Sequence, residues 1–315
     1  MLLSAIRHGL RAIARERLCA VLLWLSGAVL ALPIAGLAWW WWSRTALLPE
    51  SDVLLDHFSL AIMGELLKTG RAQFIAIFPT LFLAIVLALP VGAVVYGGIV
   101  TVLADRESPL SLQRFWRGAR CCFWRYVALA VIGTVFTAIL MVIVAIASIP
   151  LVHPLRKTSW EPGASLALAI QLALVVLAMV HALIAFDYAR IRVVLNDDRD
   201  VLRAWFASLW FVLRHPFATY GLAAVFSLLM LLAVETYVAI SARLGAKTMT
   251  LVLVTFAIQQ AFMLVRSSVR VGLIAGEINL LRPLLPPPVI PMAASHVLDS
   301  SHGNHEEGLL TSVTT

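Results

Sequence analysis

Few side chains in this 315-residue sequence could do chemistry, and most of those that could lie within or beside long apolar runs. His181, Asp187 and Arg190 follow one another at the end of one run. Glu235 interrupts a second. Gln259 and Gln260 lie midway along a third, which continues through Arg266 and Arg270. An ionisable group placed in hydrocarbon is costly, so such groups pair with one another, face a cavity or mark a pathway. Ion pairing, proton relay and the binding of a polar substrate are the chemistries open to this set. Asp187 lies 21 residues beyond Leu166, and Arg266 lies 18 residues beyond Thr248. At about 1.5 Å of rise per residue both reach similar depths. Asp187 is therefore expected to pair with Arg266 or Arg270, as a bridge that fixes helix packing. His181 and Asp187 are six residues apart, about 120° from a common helix face. They are not expected to form a dyad, and His181 is expected to hydrogen-bond a neighbouring helix. Glu235, near Arg243, is expected at the outer interface.

Signatures of known chemistries are absent. The sequence has no Walker-type phosphate loop, no His-Glu-x-x-His and no Gly-x-Ser-x-Gly, and it lacks paired intramembrane aspartates. No catalytic role, metal or cofactor is expected. His296, His302 and His305 are expected as solvated tail residues. Cys121 and Cys122 are adjacent and so lack metal-ligand spacing; with Cys19 they are expected at the interface as reduced thiols. The carboxylates of Asn196-Asp197-Asp198-Arg199-Asp200 read as a turn and a helix N-cap.

The elements that must hold these groups are membrane spans. The composition is 61% apolar and only 13% charged, where a soluble domain carries about 25% charged residues. Six runs approach the roughly 20 residues needed to cross the hydrocarbon core: 18–42, 74–103, 126–152, 166–186, 217–240 and 248–274. The fold class expected is all-α: a polytopic membrane protein of six transmembrane helices arranged as three hairpins, with cytoplasmic amphipathic helices. Residues 1–282 form its single domain, and the proline-rich, then polar stretch 283–315 reads as a disordered cytoplasmic tail. Six crossings place 17 Lys and Arg on one side and seven on the other. The positive-inside rule then puts both termini in the cytoplasm.

Three segments precede spans and carry apolar residues at helical spacing: Leu3, Ile6, Leu10 and Ile13; Leu112, Phe115, Ala119 and Cys122; Leu202, Trp205, Leu209 and Val212. They are expected as flat helices in the headgroup zone. Arg7, Arg11, Arg15, Arg114, Arg117, Arg120, Arg203 and Arg214 lie off these stripes and are expected to contact anionic phospholipid headgroups. Ile99, Ile191 and Val271 can be aligned, and an acid follows each by six residues: Asp105, Asp197 and Glu277. A threefold repeat of amphipathic helix, span and returning span is one reading of this; shared apolar composition is the other. Trp39-Trp40-Trp41-Trp42 reads as an interfacial belt. The insertion 43–73 reads as an acidic surface helix, and Pro90-Val91-Gly92 as a kink in the second span.

The stretch Asp187-Tyr188-Ala189-Arg190-Ile191, continuing through Asp197-Asp198-Arg199 to Ala204, carries a family resemblance. With six spans and repeated cytoplasmic helices, the chain resembles uncharacterised bacterial membrane proteins similar to the membrane domain of some glycerophosphodiester phosphodiesterases. The resemblance covers residues 1–282 in architecture. It implies a fold and a bacterial inner (plasma) membrane location, and it transfers no catalytic residue. The soluble phosphodiesterase domain has no counterpart in this sequence.

The function expected is that of a non-catalytic scaffold or accessory protein engaging anionic lipid or a membrane protein partner, with no role for nucleic acid. The alternative is a permease or lipid transporter with a polar site between helices four, five and six. Such a site is expected to reach Gln171, His181, Gln259 or Gln260.

Overall fold

The computed structural model describes residues 1–45, 71–105, 112–157, 161–196, 200–244 and 249–284. These form nine α-helices and a closing 3-10 turn, with no strand among the described residues. In chain order they are α1 (Leu2–Arg15), α2 (Arg17–Thr45), α3 (Arg71–Ala104), α4 (Leu112–Ala147), α5 (Ile149–Lys157), α6 (Glu161–Leu195), α7 (Val201–Arg214), α8 (Pro216–Leu244) and α9 (Met249–Leu281). Six of them, α2, α3, α4, α6, α8 and α9, are long and apolar enough to cross a membrane. The protein is an all-helical, multi-pass membrane protein. Met1–Arg282 form one compact unit. The acidic insertion helix, Asp197 and Asp198, and the histidines of the tail lie outside the described residues.

The surface of the spans explains their environment. Val131, Val135, Ile139 and Val142 stand exposed along α4, and Leu168, Leu172 and Leu183 along α6. In water such continuous apolar faces would associate. In a bilayer they meet a solvent as apolar as themselves. The buried residues are instead concentrated where α3, α6 and α9 approach their C-terminal ends. Ile99, Ile191 and Val271 are each almost wholly buried there. We refer to this end of the bundle, which also carries α1, as the basic end.

The three amphipathic segments take different forms. α1 and α7 are separate helices, broken from the spans that follow them at Glu16 and His215. Pro216 gives the second break its reason, because proline lacks an N–H and has the φ suited to a helix start. Asp200 caps α7, its Oδ1 accepting from the Arg203 N–H at 3.2 Å. The middle segment departs from the expected flat helix. Leu112–Ala147 is one unbroken helix, so the amphipathic stretch and the third span are continuous. No proline falls between Leu112 and Ala147 to interrupt it. The interruption comes later, at Ser148, before α5.

α1 also buries a different stripe from the one its leucines suggest. Leu3 is 81% exposed and Leu10 is also exposed, while Ala5, Gly9 and Ala12 are buried. Small residues face small residues here. A side chain at Gly9 would strike the Gly272 carbonyl and the Phe226 ring, and one at Gly276 would meet the Ala5 carbonyl at 3.2 Å. Gly272-Leu273-Ile274-Ala275-Gly276 is a Gly-x-x-x-Gly face, which lets helix backbones approach closely. α1 thus packs on α9, the last span, at the opposite end of the sequence. The start of α4 packs on α3, and α7 packs on α6. Each even-numbered span therefore carries one basic amphipathic segment, the N-terminal helix lying on the last of them. The Arg282 guanidinium donates to the carbonyl of Ala104, the last residue of α3, and so caps a helix end that would otherwise lack a partner.

Candidate functional site

The intramembrane charges converge where α6 and α9 meet. Asp187 Oδ1 accepts from Arg270 Nη2 at 2.5 Å, and Arg190 Nη1 lies 3.7 Å from the same oxygen. Asp187 and Arg190 share one face of α6, three residues apart. Arg190 precedes Ile191 as Arg270 precedes Val271, so the two arginines hold the same position in the aligned segments. Gly98 holds that position in α3, where the Phe115 ring lies against it. Arg266, the other partner open to Asp187, makes no ion pair among the described residues. The pair that forms is the one a helical turn deeper toward the basic end.

Aromatic rings fix the arginines. The Arg190 guanidinium lies 4.0 Å from the Phe186 ring centroid and 4.4 Å from that of Tyr96, and Arg270 is 5.8 Å from Tyr96. Cation–π contacts of this kind strengthen where water is thin. Tyr126 donates to the Arg190 carbonyl at 3.0 Å, tying α4 to the same turn of α6. Below this group lies a well-packed core that includes Leu129, Ala189, Val193, Ala204 and Trp205.

Glu277 and Tyr188 complete the cluster, and both were missed as site residues by the reading of intramembrane charge. Glu277 is 2% exposed and within electrostatic reach of Asp187, Arg190 and Arg270. Its Oε2, like the Tyr188 Oη, has no hydrogen-bond partner among the described residues. The available signal was the acid recurring six residues after the aligned aliphatics, which marked Glu277 but gave no depth. Of the other two acids in that alignment, Asp105 is exposed and ion-paired with Arg114 at 3.1 Å, and Asp197 lies outside the described residues.

The remaining polar candidates are dispersed. His181 Nδ1 is 2.8 Å from Tyr220 Oη on α8, a contact between neighbouring helices, and its Nε2 has no partner among the described residues. Gln260 Oε1 accepts from Trp24 Nε1 at 3.2 Å, joining α9 to α2. Gln171 Nε2 donates to the Ala145 carbonyl of α4 at 3.3 Å. Gln259 and Glu235 are exposed on α9 and α8.

A cavity of about 720 Å³ opens beside the arginines, in the size range of small-molecule and lipid sites. It is not the site between helices four, five and six that the alternative reading required. Its walls come from α2, α3, α8 and α9, with Arg190 the one contribution from α6. Gln171, His181, Gln259 and Gln260 do not line it. Those side chains turn toward neighbouring helices or outward, and the space lies elsewhere because glycines supply it. A side chain built at Gly27 or at Gly92 would meet nothing within 4 Å. Arg190, Arg266 and Arg270 all reach the cavity wall, and no carboxylate among the described residues does. Asp187 sits behind Arg270 and Arg190 and occupies only part of their donor capacity, since each guanidinium carries five N–H groups.

The residues expected at the headgroups are mostly free of the core. Arg7, Arg11, Arg15, Arg117, Arg120, Arg203 and Arg214 are exposed. Arg114 is half-buried and held by Asp105. Trp116 and Trp124 of α4 and Trp210 of α7 stand exposed as well, Trp210 at 66% and Trp124 at 76%.

Comparison with protein-family models, with curated proteins and with solved structures finds no match to this chain. The class that fold and site define is therefore a multi-pass helical membrane protein with a buried Asp–Arg cluster beside an arginine-lined cavity.

Proposed function

We propose that this protein is a non-catalytic scaffold or accessory protein of the bacterial inner membrane, with both termini in the cytoplasm, that engages anionic phospholipid headgroups through its basic end. One observation carries the reading: seven arginines on three segments are exposed, and on two of those segments tryptophans stand exposed with them. Tryptophan favours the headgroup boundary, and each Lys or Arg held near an anionic surface contributes about 1 kcal/mol, screened by salt. A membrane protein partner fits the same surface, through the exposed apolar residues of α7.

The test uses the protein in nanodiscs of mixed phosphatidylglycerol and phosphatidylcholine. The lipids retained around it are counted by native mass spectrometry. Reversal of Arg117, Arg120, Arg203 and Arg214 to Glu is expected to reduce the number of phosphatidylglycerol molecules retained at low salt, without removing all of them, since Arg7, Arg11 and Arg15 remain. Enrichment equal to that of the unaltered protein would remove the reading. The lipid-transporter alternative is favoured by one observation, the cavity beside Arg270. It requires that purified protein in donor vesicles speed lipid appearance in the opposite leaflet.

A further inference from the structure

The cavity has properties that the surface collar does not share. Its upper walls are apolar, with Leu30, Val91, Met230 and Met263 among them. Three arginines line it toward the basic end. Two of these are immobilised, Arg190 between the Tyr96 and Phe186 rings and Arg270 against Asp187. Positioned donors lose little freedom on binding, and an anion that meets them loses its water to fixed N–H groups. The wall also carries Ser26, Ser227 and Ser267, and two of these hydroxyls are engaged within their own helices. Ser26 and Ser267 donate to carbonyls of their own helices at 2.8 and 3.0 Å. Trp24 donates to Gln260. What the cavity presents is thus an apolar trough ending in cationic donors, with its volume supplied by two glycines on facing helices, Gly27 of α2 and Gly92 of α3.

We propose that this cavity is a binding site for one anionic lipid, whose phosphate is held by Arg190, Arg266 and Arg270 and whose acyl chain lies along α2, α3 and α8. Charge complementarity selects the headgroup. The apolar length of the trough selects a chain-bearing ligand over a free anion. Basic pockets between spans are a known physical solution for holding anionic headgroups. The site stands apart from the surface contacts proposed above, since none of the collar arginines lines it.

Two kinds of variant test it without dismantling the cluster. Gly92→Leu and Gly27→Leu fill open space in a helix, where leucine is the better helix former. Arg266→Gln removes the arginine that makes no ion pair among the described residues. The detergent-solubilised, delipidated protein is titrated with phosphatidylglycerol, with phosphatidylcholine and with inorganic phosphate, and bound ligand is counted by native mass spectrometry. One saturable phosphatidylglycerol per protein is expected, with phosphatidylcholine and phosphate weaker. Each glycine variant is expected to weaken that binding at least about tenfold, as closing a preformed apolar site does. Arg266→Gln is expected to weaken it about fivefold. The glutamate reversals at Arg117, Arg120, Arg203 and Arg214 should leave it unchanged, which separates this site from the collar. Equal binding of both lipids, indifference to both glycine variants, or phosphate binding as tightly as lipid would each overturn the proposal.

Discussion

At the scale of single residues, the informative feature is a carboxylate shared by two arginines. Asp187 takes a direct bond from Arg270 and a longer contact from Arg190. Charges of this kind repay their desolvation only when paired, and removing one partner of a buried pair costs about 3–5 kcal/mol. The side chains of Asp187, Arg190 and Arg270 are 14%, 19% and 29% exposed, so the low end of that range applies. Asp187→Asn is therefore expected to lower the midpoint of thermal unfolding in detergent, followed by tryptophan fluorescence, by an amount equivalent to about 3 kcal/mol. Replacing Asp187 and its direct partner by apolar residues, Asp187→Leu with Arg270→Met, should recover part of the loss, the rest reflecting Arg190 left without its carboxylate. Arg266→Gln should not move the midpoint. An Asp187→Asn protein that melts with the unaltered protein would show that the pair does not hold α6 to α9.

At the scale of elements, α1 shows how small residues redirect an amphipathic helix. Its leucines define an apolar stripe in the sequence, yet Leu3 and Leu10 are exposed and the Ala5–Gly9–Ala12 face is buried. In lipid the hydrophobic effect does not distinguish protein from solvent, so close backbone packing decides which face turns inward. That preference is invisible to a count of apolar residues. It becomes legible only with the matching Gly272 and Gly276 on α9. Gly9→Leu is expected to displace α1, because overpacking a tight contact costs about 1–3 kcal/mol. Limited trypsin digestion should then cut at Arg7, Arg11 and Arg15 about tenfold faster at ~1.4 kcal/mol of destabilisation, with the spans still protected. Leu10→Ala should leave the rate within about twofold, as substitutions on exposed faces do. The reverse order of sensitivity would mean that the leucine stripe holds the helix in place. The same element-scale reasoning accounts for α4, where the sequence offers no proline to separate the amphipathic stretch from the span, and for α7, where Pro216 does so.

At the scale of the whole molecule, the six crossings were readable because apolar length is a physical ruler, and nothing but a bilayer matches runs of that size. Three charged members of the cluster, Asp187, Arg190 and Arg270, were readable too, since they are rare types in their setting, whereas the depth of Glu277 was not. The cavity was not readable, because missing side chains on Gly27 and Gly92 and the placement of five helices create it, and no local pattern records either. The proposed side of the membrane rests on charge asymmetry. The basic end carries α1, the start of α4 and α7, and it is where α3, α6 and α9 finish. Arginine and lysine near span ends oppose translocation, so that end is expected in the cytoplasm. Alkaline phosphatase fused after Lys157 or Leu244 should be active, whereas fusions after Asn196 or Leu284 should be inactive. A fluorescent protein that matures only in the cytoplasm should give the opposite pattern at the same four points. These positions alternate along the chain and test the crossings of α6, α8 and α9 together with their direction. Phosphatase activity after Asn196 with none after Lys157 would invert the molecule, and would remove the headgroups of the cytoplasmic leaflet from the reach of its arginines. Activity at both would mean that α6 does not cross, and the pairing of Asp187 with Arg270 would then need a bundle of a different kind.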